Sequence, residues 1–213
     1  MRLTRTYCEN PAQGAAGTVP SSPYRGDYAG SSIVKPRAAL RIGSLWGVPI
    51  YAHVTLPLGL ALVSQFSFRP WTWLGLIVIV LVHELGHALL LLRYRLPVLH
   101  IVMHGFGGEV ETVDWITPWQ RAVVAWGGVL AQAALFFVVS LSSQFGLWCF
   151  TSGAVDLRVT LTATNLLVAA FNLLPFGNLD GRQAWRLPFL VLLRARHAWL
   201  AWRLARARRE RLH

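Results

Sequence analysis

The chain has 213 residues, is 54% hydrophobic with a mean hydropathy of +0.46, and carries a formal charge of +11. A soluble globular domain does not have this composition, so the chain reads as an integral membrane protein of one domain's length. Its basic residues are nearly all Arg and flank apolar runs, nine of them after Asn178, which fits anchoring on anionic lipid and argues against a nucleic-acid partner.

Residues 1–38 are rich in Gly, Ala, Ser and Pro without apolar periodicity and read as a flexible tail. They lack the continuous apolar core of a secretory signal. A first transmembrane segment is expected from Val48 to Phe66, interrupted by Pro49 and Pro57. His53 near its start reads as a hydrogen-bonding residue rather than a ligand. The second span, Trp71 to Leu92, is closed by Arg93 and Arg95.

Val98 to Val113 has short β-type runs broken by Gly105-Phe106-Gly107-Gly108 and reads as a membrane-associated hairpin. His100 and His104 stand four apart, but in an extended segment that spacing carries little weight as a metal site. The third span, about Ala122 to Leu141, offers Gly127, Gly128, Ala131 and Ala134 as a small-residue surface for close helix contact. The fourth, about Val159 to Phe176, carries Thr162, Asn165, Ala169 and Asn172 along one face, and in lipid such a stripe points inward.

Pro175 and Gly177 break that helix, and Asp180-Gly181 is a turn signal. The last apolar run, Leu187 to Leu193, is too short to cross and is followed by Trp and Arg, so it reads as an interfacial helix. The expected fold is an all-α polytopic membrane protein with about four transmembrane helices, a short hairpin and an interfacial C-terminal helix. Its organisation is a tail (1–38), a core (39–186) and a basic C-terminal segment (187–213). Cys8 and Cys149 are far apart without CxxC spacing and predict neither a disulfide nor a thiolate metal site.

With four crossings the arginines before the first span, around the hairpin and at the C-terminus share one side. That side is expected to be cytoplasmic, with both termini on it.

Chemistry concentrates at His83-Glu84-Leu85-Gly86-His87 inside the second span. Two imidazoles at i and i+4 lie on one helix face, beside a carboxylate able to activate a metal-bound water. Glu84 is the only formally charged side chain from Trp71 to Leu92, and an ionisable group at that depth marks a functional site. Two histidines do not complete a catalytic zinc site, which usually has three protein ligands. Asp180 is a candidate third ligand, although taken alone it reads first as an ordinary Asp-Gly turn.

These motifs resemble the site-2 proteases, zinc peptidases that cleave transmembrane substrates within the membrane. The resemblance covers most of residues 42–185 and rests on HELGH at 83–87, on Gly105-Phe106-Gly107-Gly108 and on NLLPFGNLDG from Asn172 to Gly181. Gly47-Val48-Pro49-Ile50-Tyr51-Ala52-His53 also looks like the start of a minimal member's first span. The resemblance implies one Zn2+ per chain held by His83, His87 and Asp180, with Glu84 as general base. It further implies a substrate-binding role for Asn172 and for Phe106, Gly107 and Gly108 of the hairpin. The family's third-span Gly-Pro-x-x-Asn stands here as Gly128-Val129-Leu130-Ala131-Gln132, with Val129 for Pro and Gln132 for Asn.

The implied function is an intramembrane zinc endopeptidase acting on a transmembrane protein or peptide in the lipid bilayer, expected in a bacterial inner membrane. A catalytically silent adaptor or chaperone for membrane proteins is the alternative, and retention of Glu84 favours the enzyme. A zinc transporter would need polar groups at several depths, whereas those here cluster at one.

Overall fold

The computed structural model describes residues 36–112, 116–146, 148 and 151–210. Cys8, Cys149 and residues 1–35 of the tail lie outside them. The described chain opens with two antiparallel strands, β1 (Ala39–Leu45) and β2 (Val48–His53), paired from Leu45↔Val48 to Ala39↔His53. The two-residue connection Trp46-Gly47 has φ of 52° and 83°, the double left-handed turn whose twist matches an antiparallel pair.

After β2 comes a short helix, α1 (Leu56–Val63), and then α2 (Pro70–Arg93), which carries the HELGH motif. The expectation that Val48 to Phe66 forms a helical span is therefore corrected. Its first part is a strand and its second an eight-residue helix, about 12 Å long at helical rise. Pro49 cannot donate in a helix interior, and Pro57 takes the first turn of α1, where a missing N–H is harmless.

Beyond α2 follow β3 (Val98–His104) and β4 (Gly107–Thr112), an antiparallel hairpin as expected from the sequence. The hairpin is not isolated. β3 also pairs in parallel with β2 at Ile50↔Ile101, Tyr51↔Val102 and Ala52↔Met103, giving a four-stranded sheet in the order β1-β2-β3-β4. An all-α fold with a lone hairpin is thus corrected to a mostly helical protein with a small mixed sheet. Ile50, Ile101 and Met103 on one sheet face join Leu56, Leu60, Leu76 and Ala88 in a buried apolar cluster, so the sheet is held against α1 and α2.

The segment from Val48 to Ser64 is tied to β3, to the hairpin turn and to the start of α2. Its strand pairs with β3, which starts just after the C-terminal end of α2; Gly105 N–H donates to Thr55 Oγ1 (3.2 Å), and Trp73 Nε1–H donates to Ser64 Oγ (3.0 Å) near the start of α2.

Helix α3 (Pro118–Gln144) starts with a reciprocal cap between Thr117 and Gln120 and lies along α2. The helices touch through backbone at Gly86 and Gly127, where a Cβ on either would collide with the other's carbonyl. Of the expected small-residue surface, Gly127, Gly128 and Ala131 face α2, whereas Ala134 is exposed.

The next helical stretch runs without interruption from Ser152 to Asn172 as α4 (Ser152–Val159), a π-helical turn (Thr160–Thr164) and α5 (Asn165–Asn172). It starts and ends earlier than the expected Val159 to Phe176. Asn165 and Ala169 of the polar stripe are buried, as expected, while Thr162 bonds back to Arg158 O. A four-residue helix, α6 (Gly181–Ala184), leads into α7 (Arg186–Glu210), which extends well past the short apolar run read from sequence. Arg194 of α7 stacks on Trp119 at the start of α3, 3.8 Å from the ring centroid.

Among the described residues, three helical stretches are long and apolar enough to cross a membrane: Pro70–Arg93, Pro118–Gln144 and Ser152–Asn172. They make this a membrane protein.

Candidate metal centre

Helical geometry brings His83 and His87 together on the face of α2 that meets α3, both less than a tenth exposed. Their rings stand edge to face, with centroids 4.6 Å apart and Nε2 atoms 3.0 Å apart. Asp180, about a hundred residues later, reaches the same point. Its Oδ2 lies 2.9 Å from His83 Nε2 and 3.2 Å from His87 Nε2.

The chain between Asn172 and α6 is folded back to make this possible. Gly177 turns it with φ +62°, and Gly181 sits so close to the Leu173 and Leu174 carbonyls that no side chain fits there. Two indoles fasten the loop: Trp185 Nε1–H donates to Leu173 O (2.7 Å) and Trp126 Nε1–H to Ala184 O (3.0 Å). Asp180-Gly181 is therefore more than a surface turn.

Each histidine is oriented from behind. His87 Nδ1–H donates to the Val124 carbonyl (2.8 Å) and His83 Nδ1–H to Gln132 Oε1 (2.9 Å), both on α3. Neutral imidazoles held this way turn unprotonated Nε2 atoms toward each other and toward the Asp180 carboxylate. Three lone-pair atoms would repel one another unless a cation lies between them.

The spacing suits zinc. Ligand bonds of about 2.0–2.1 Å in a tetrahedral set separate donor atoms by about 3.3 Å. Here the separations are 2.9, 3.0 and 3.2 Å. Among the described residues, His83, His87 and Asp180 form the one His, Cys, Asp and Glu group converging in this way. Two imidazoles and a carboxylate are also the donor set of zinc hydrolases that leave a fourth position open.

Glu84, adjacent to His83, is 3% exposed. Its carboxylate lies against Gly108 of β4, where an added Cβ would come within 2.5 Å of Oε1. Of the hairpin residues singled out from sequence, Gly108 is thus beside the site. Gly107 serves the turn at φ +139° with open space around it, and Phe106 is 87% exposed at the tip. Asn172 Nδ2 lies 3.5 Å from His83 Nε2, at the margin of the same centre.

His53, His100 and His104 stand apart from this group. His53 accepts from Thr55 N–H through Nδ1 (3.3 Å) and stacks near His104 (centroids 4.9 Å), while His100 Nε2 pairs with Glu111 (2.8 Å).

Sequence reasoning missed two neighbours of the centre. Gln132, read only as a departure from a family pattern, touches His83. Gly128, read as a helix-contact residue and as the first position of that same pattern, lies under both imidazoles, so that a Cβ there would be 2.5 Å from His83 Cε1 and from His87 Nε2. An uncharged amide in the middle of an apolar span was the available signal for the first.

No family model matches the chain. It is 28% identical over 154 residues to a zinc metalloprotease of Methanocaldococcus jannaschii, covering 70% of this chain and 44% of that protein. It is 35% identical over 162 residues to a Synechocystis sp. protein that carries a zinc-metalloprotease name, covering 67% and 42% respectively. The chain thus spans less than half the length of these curated relatives. Its fold matches the site-2 protease from Methanocaldococcus jannaschii with a TM-score of 0.57 at 24% identity, covering 71% of each chain. The chain is thus similar to two proteins that carry zinc-metalloprotease names and shares the fold of the site-2 protease, with a helix-borne HELGH that meets a distant aspartate.

Proposed function

We propose that this protein is a zinc endopeptidase that hydrolyses a peptide bond in or near a transmembrane segment of a membrane protein. The observation that carries the reading is the convergence of His83 Nε2, His87 Nε2 and Asp180 Oδ2 within 3.2 Å of one another, beside the buried Glu84. His83, His87 and Asp180 hold one Zn2+. Bound there, zinc polarises the scissile carbonyl and acidifies the attacking water toward neutrality.

Glu84 is the general base. It takes the water's proton and returns it to the leaving amine, and its burial keeps competing solvent away from the carboxylate. Asn172 Nδ2, at the edge of the centre, is a donor for the carbonyl oxygen as negative charge develops on it.

Substrate enters as an extended strand. A transmembrane helix hides its peptide bonds in its own hydrogen bonds and must unwind before attack. β4 is an edge strand whose Gly108 lies against Glu84, so a segment added to that edge by β-pairing would pass the catalytic carboxylate. Phe106 and Gly107 at the hairpin turn contribute the rim of this track.

If β2 and α1 together serve as a first passage beside the three long helices, the described residues cross the membrane four times. Residues 39–186 form the catalytic core and 187–213 a basic interfacial segment on anionic lipid. His83 is ten residues before Arg93 and His87 six, so the centre lies about 9–15 Å inside the Arg-rich end of α2. That end is cytoplasmic, with both termini, in a bacterial inner membrane.

The test is cleavage by the purified protein in proteoliposomes containing tagged single-pass segments. Wild type should release fragments, and Glu84→Gln should bind the same segments without cutting them. Binding by both and cutting by neither, with zinc present, would favour the adaptor reading.

A further inference from the structure

Gln132 is completely buried in the middle of α3, and its amide is only half satisfied. Oε1 accepts from His83 Nδ1–H (2.9 Å), while Nε2 has no partner. Packing alone would be served better by a leucine of similar size, because a buried amide N–H without an acceptor is unfavourable. The alternative amide orientation would put a donor against His83 Nδ1 and force the imidazole proton onto Nε2, the atom that faces Asp180 and His87. The backbone of Gln132 is fixed in turn: its carbonyl accepts from Asn165 Nδ2 (2.8 Å), and Asn165 is 1% exposed. Asn165 is the first residue after the π-helical turn Thr160–Thr164, and π turns shift the rotational phase of the helix that follows. Three helices are thereby joined in one line, from Asn165 through Gln132 to His83.

We propose that Gln132 is a positioning residue of the metal centre, its Oε1 holding His83 in the tautomer and ring orientation that present Nε2 to the metal, with Asn165 keeping Gln132 in place. The inference rests on the reading of His83, His87 and Asp180 as metal ligands. A partner behind a metal-bound imidazole changes metal affinity typically 10–100-fold.

The test is Zn2+ affinity, by competition with a chromogenic chelator, for wild type, Gln132→Leu and Gln132→Glu in detergent. Metal-free thermal stability and the visible absorption spectrum of the Co2+-loaded proteins are recorded in parallel. Gln132→Leu should fold with metal-free stability equal to or above wild type, bind Zn2+ 10–100-fold more weakly and show an altered Co2+ spectrum. Gln132→Glu keeps an acceptor oxygen and should recover most of the affinity. Asn165→Ala, one step further from the metal, should produce a smaller loss in the same direction. Gln132→Leu binding Zn2+ within twofold of wild type with an unchanged spectrum would overturn the proposal, as would a loss that tracks a fall in metal-free stability and is not rescued by Gln132→Glu. Wild type failing to bind Zn2+ would instead overturn the metal-centre reading beneath it.

Discussion

Replacing Gly128 by alanine separates the metal centre from the fold that carries it. The residue is inside α3, where alanine is favoured over glycine by about 1 kcal/mol, so the helix itself gains from the change. The added methyl, however, would stand 2.5 Å from His87 Nε2 and from His83 Cε1, and 2.7 Å from His83 Nδ1, whereas ordinary contact starts at 3.4 Å. One or both rings must therefore move by about 0.9 Å. That is several times the tolerance of about 0.2 Å on ligand distances in a metal site. A 1 Å misplacement in catalytic geometry costs about 10²-fold in rate. Gly128→Ala should thus retain its fold and metal-free melting temperature but lose stoichiometric zinc and at least about 10²-fold in turnover. Gly43→Ala is the control, since an added Cβ there meets nothing within 4 Å. Full zinc occupancy and unchanged activity in Gly128→Ala would refute the placement of Gly128 beneath the two rings.

Gly108→Ala pushes a methyl into the Glu84 carboxylate rather than the ligands, so turnover should fall while zinc remains bound; zinc loss measured by elemental analysis would contradict this division of labour. Trp185→Phe removes the 2.7 Å bond to the Leu173 carbonyl that fastens the Asp180 loop. It should lower stability by about 0.5–1.5 kcal/mol and weaken zinc binding, and a titration identical to wild type would show that the loop is held by other contacts. Single-cysteine labelling, after replacement of Cys8 and Cys149, should find positions near Arg95 and in the C-terminal Arg cluster accessible from the same, cytoplasmic side. Opposite accessibility would put His83 and Asp180 at different membrane faces.

The readable part of the fold is the part that depends on local spacing. His83 and His87 share a face because a helix repeats every 3.6 residues, and an apolar run with one charge is visible without tertiary information. The break at Pro175 and Gly177 marked where the last span stops shielding its backbone, but Asp180 beyond it read alone as a turn and became a ligand candidate with the motif resemblance. The first span was misread because a short apolar run has no periodicity that separates a buried strand from a helix. Val48–His53 is a strand through two partners, β1 across the Trp46-Gly47 turn and Ile101–Met103 some fifty residues away, and the second is a contact no local pattern records. Gln132 was obscured in another way. A family pattern invited its reading as a substitution, although its isolation as an amide in an apolar span already pointed inward. The π-helical turn left no mark in the residue types of Thr160–Thr164.

The most direct test of the central claim is the metal content of the purified chain, measured alongside the double variant His83→Ala, His87→Ala and the single variant Asp180→Ala. Wild type should hold one zinc per chain, the double variant none and Asp180→Ala a strongly reduced content, with all three proteins folded. Stoichiometric zinc retained by the double variant would contradict that claim.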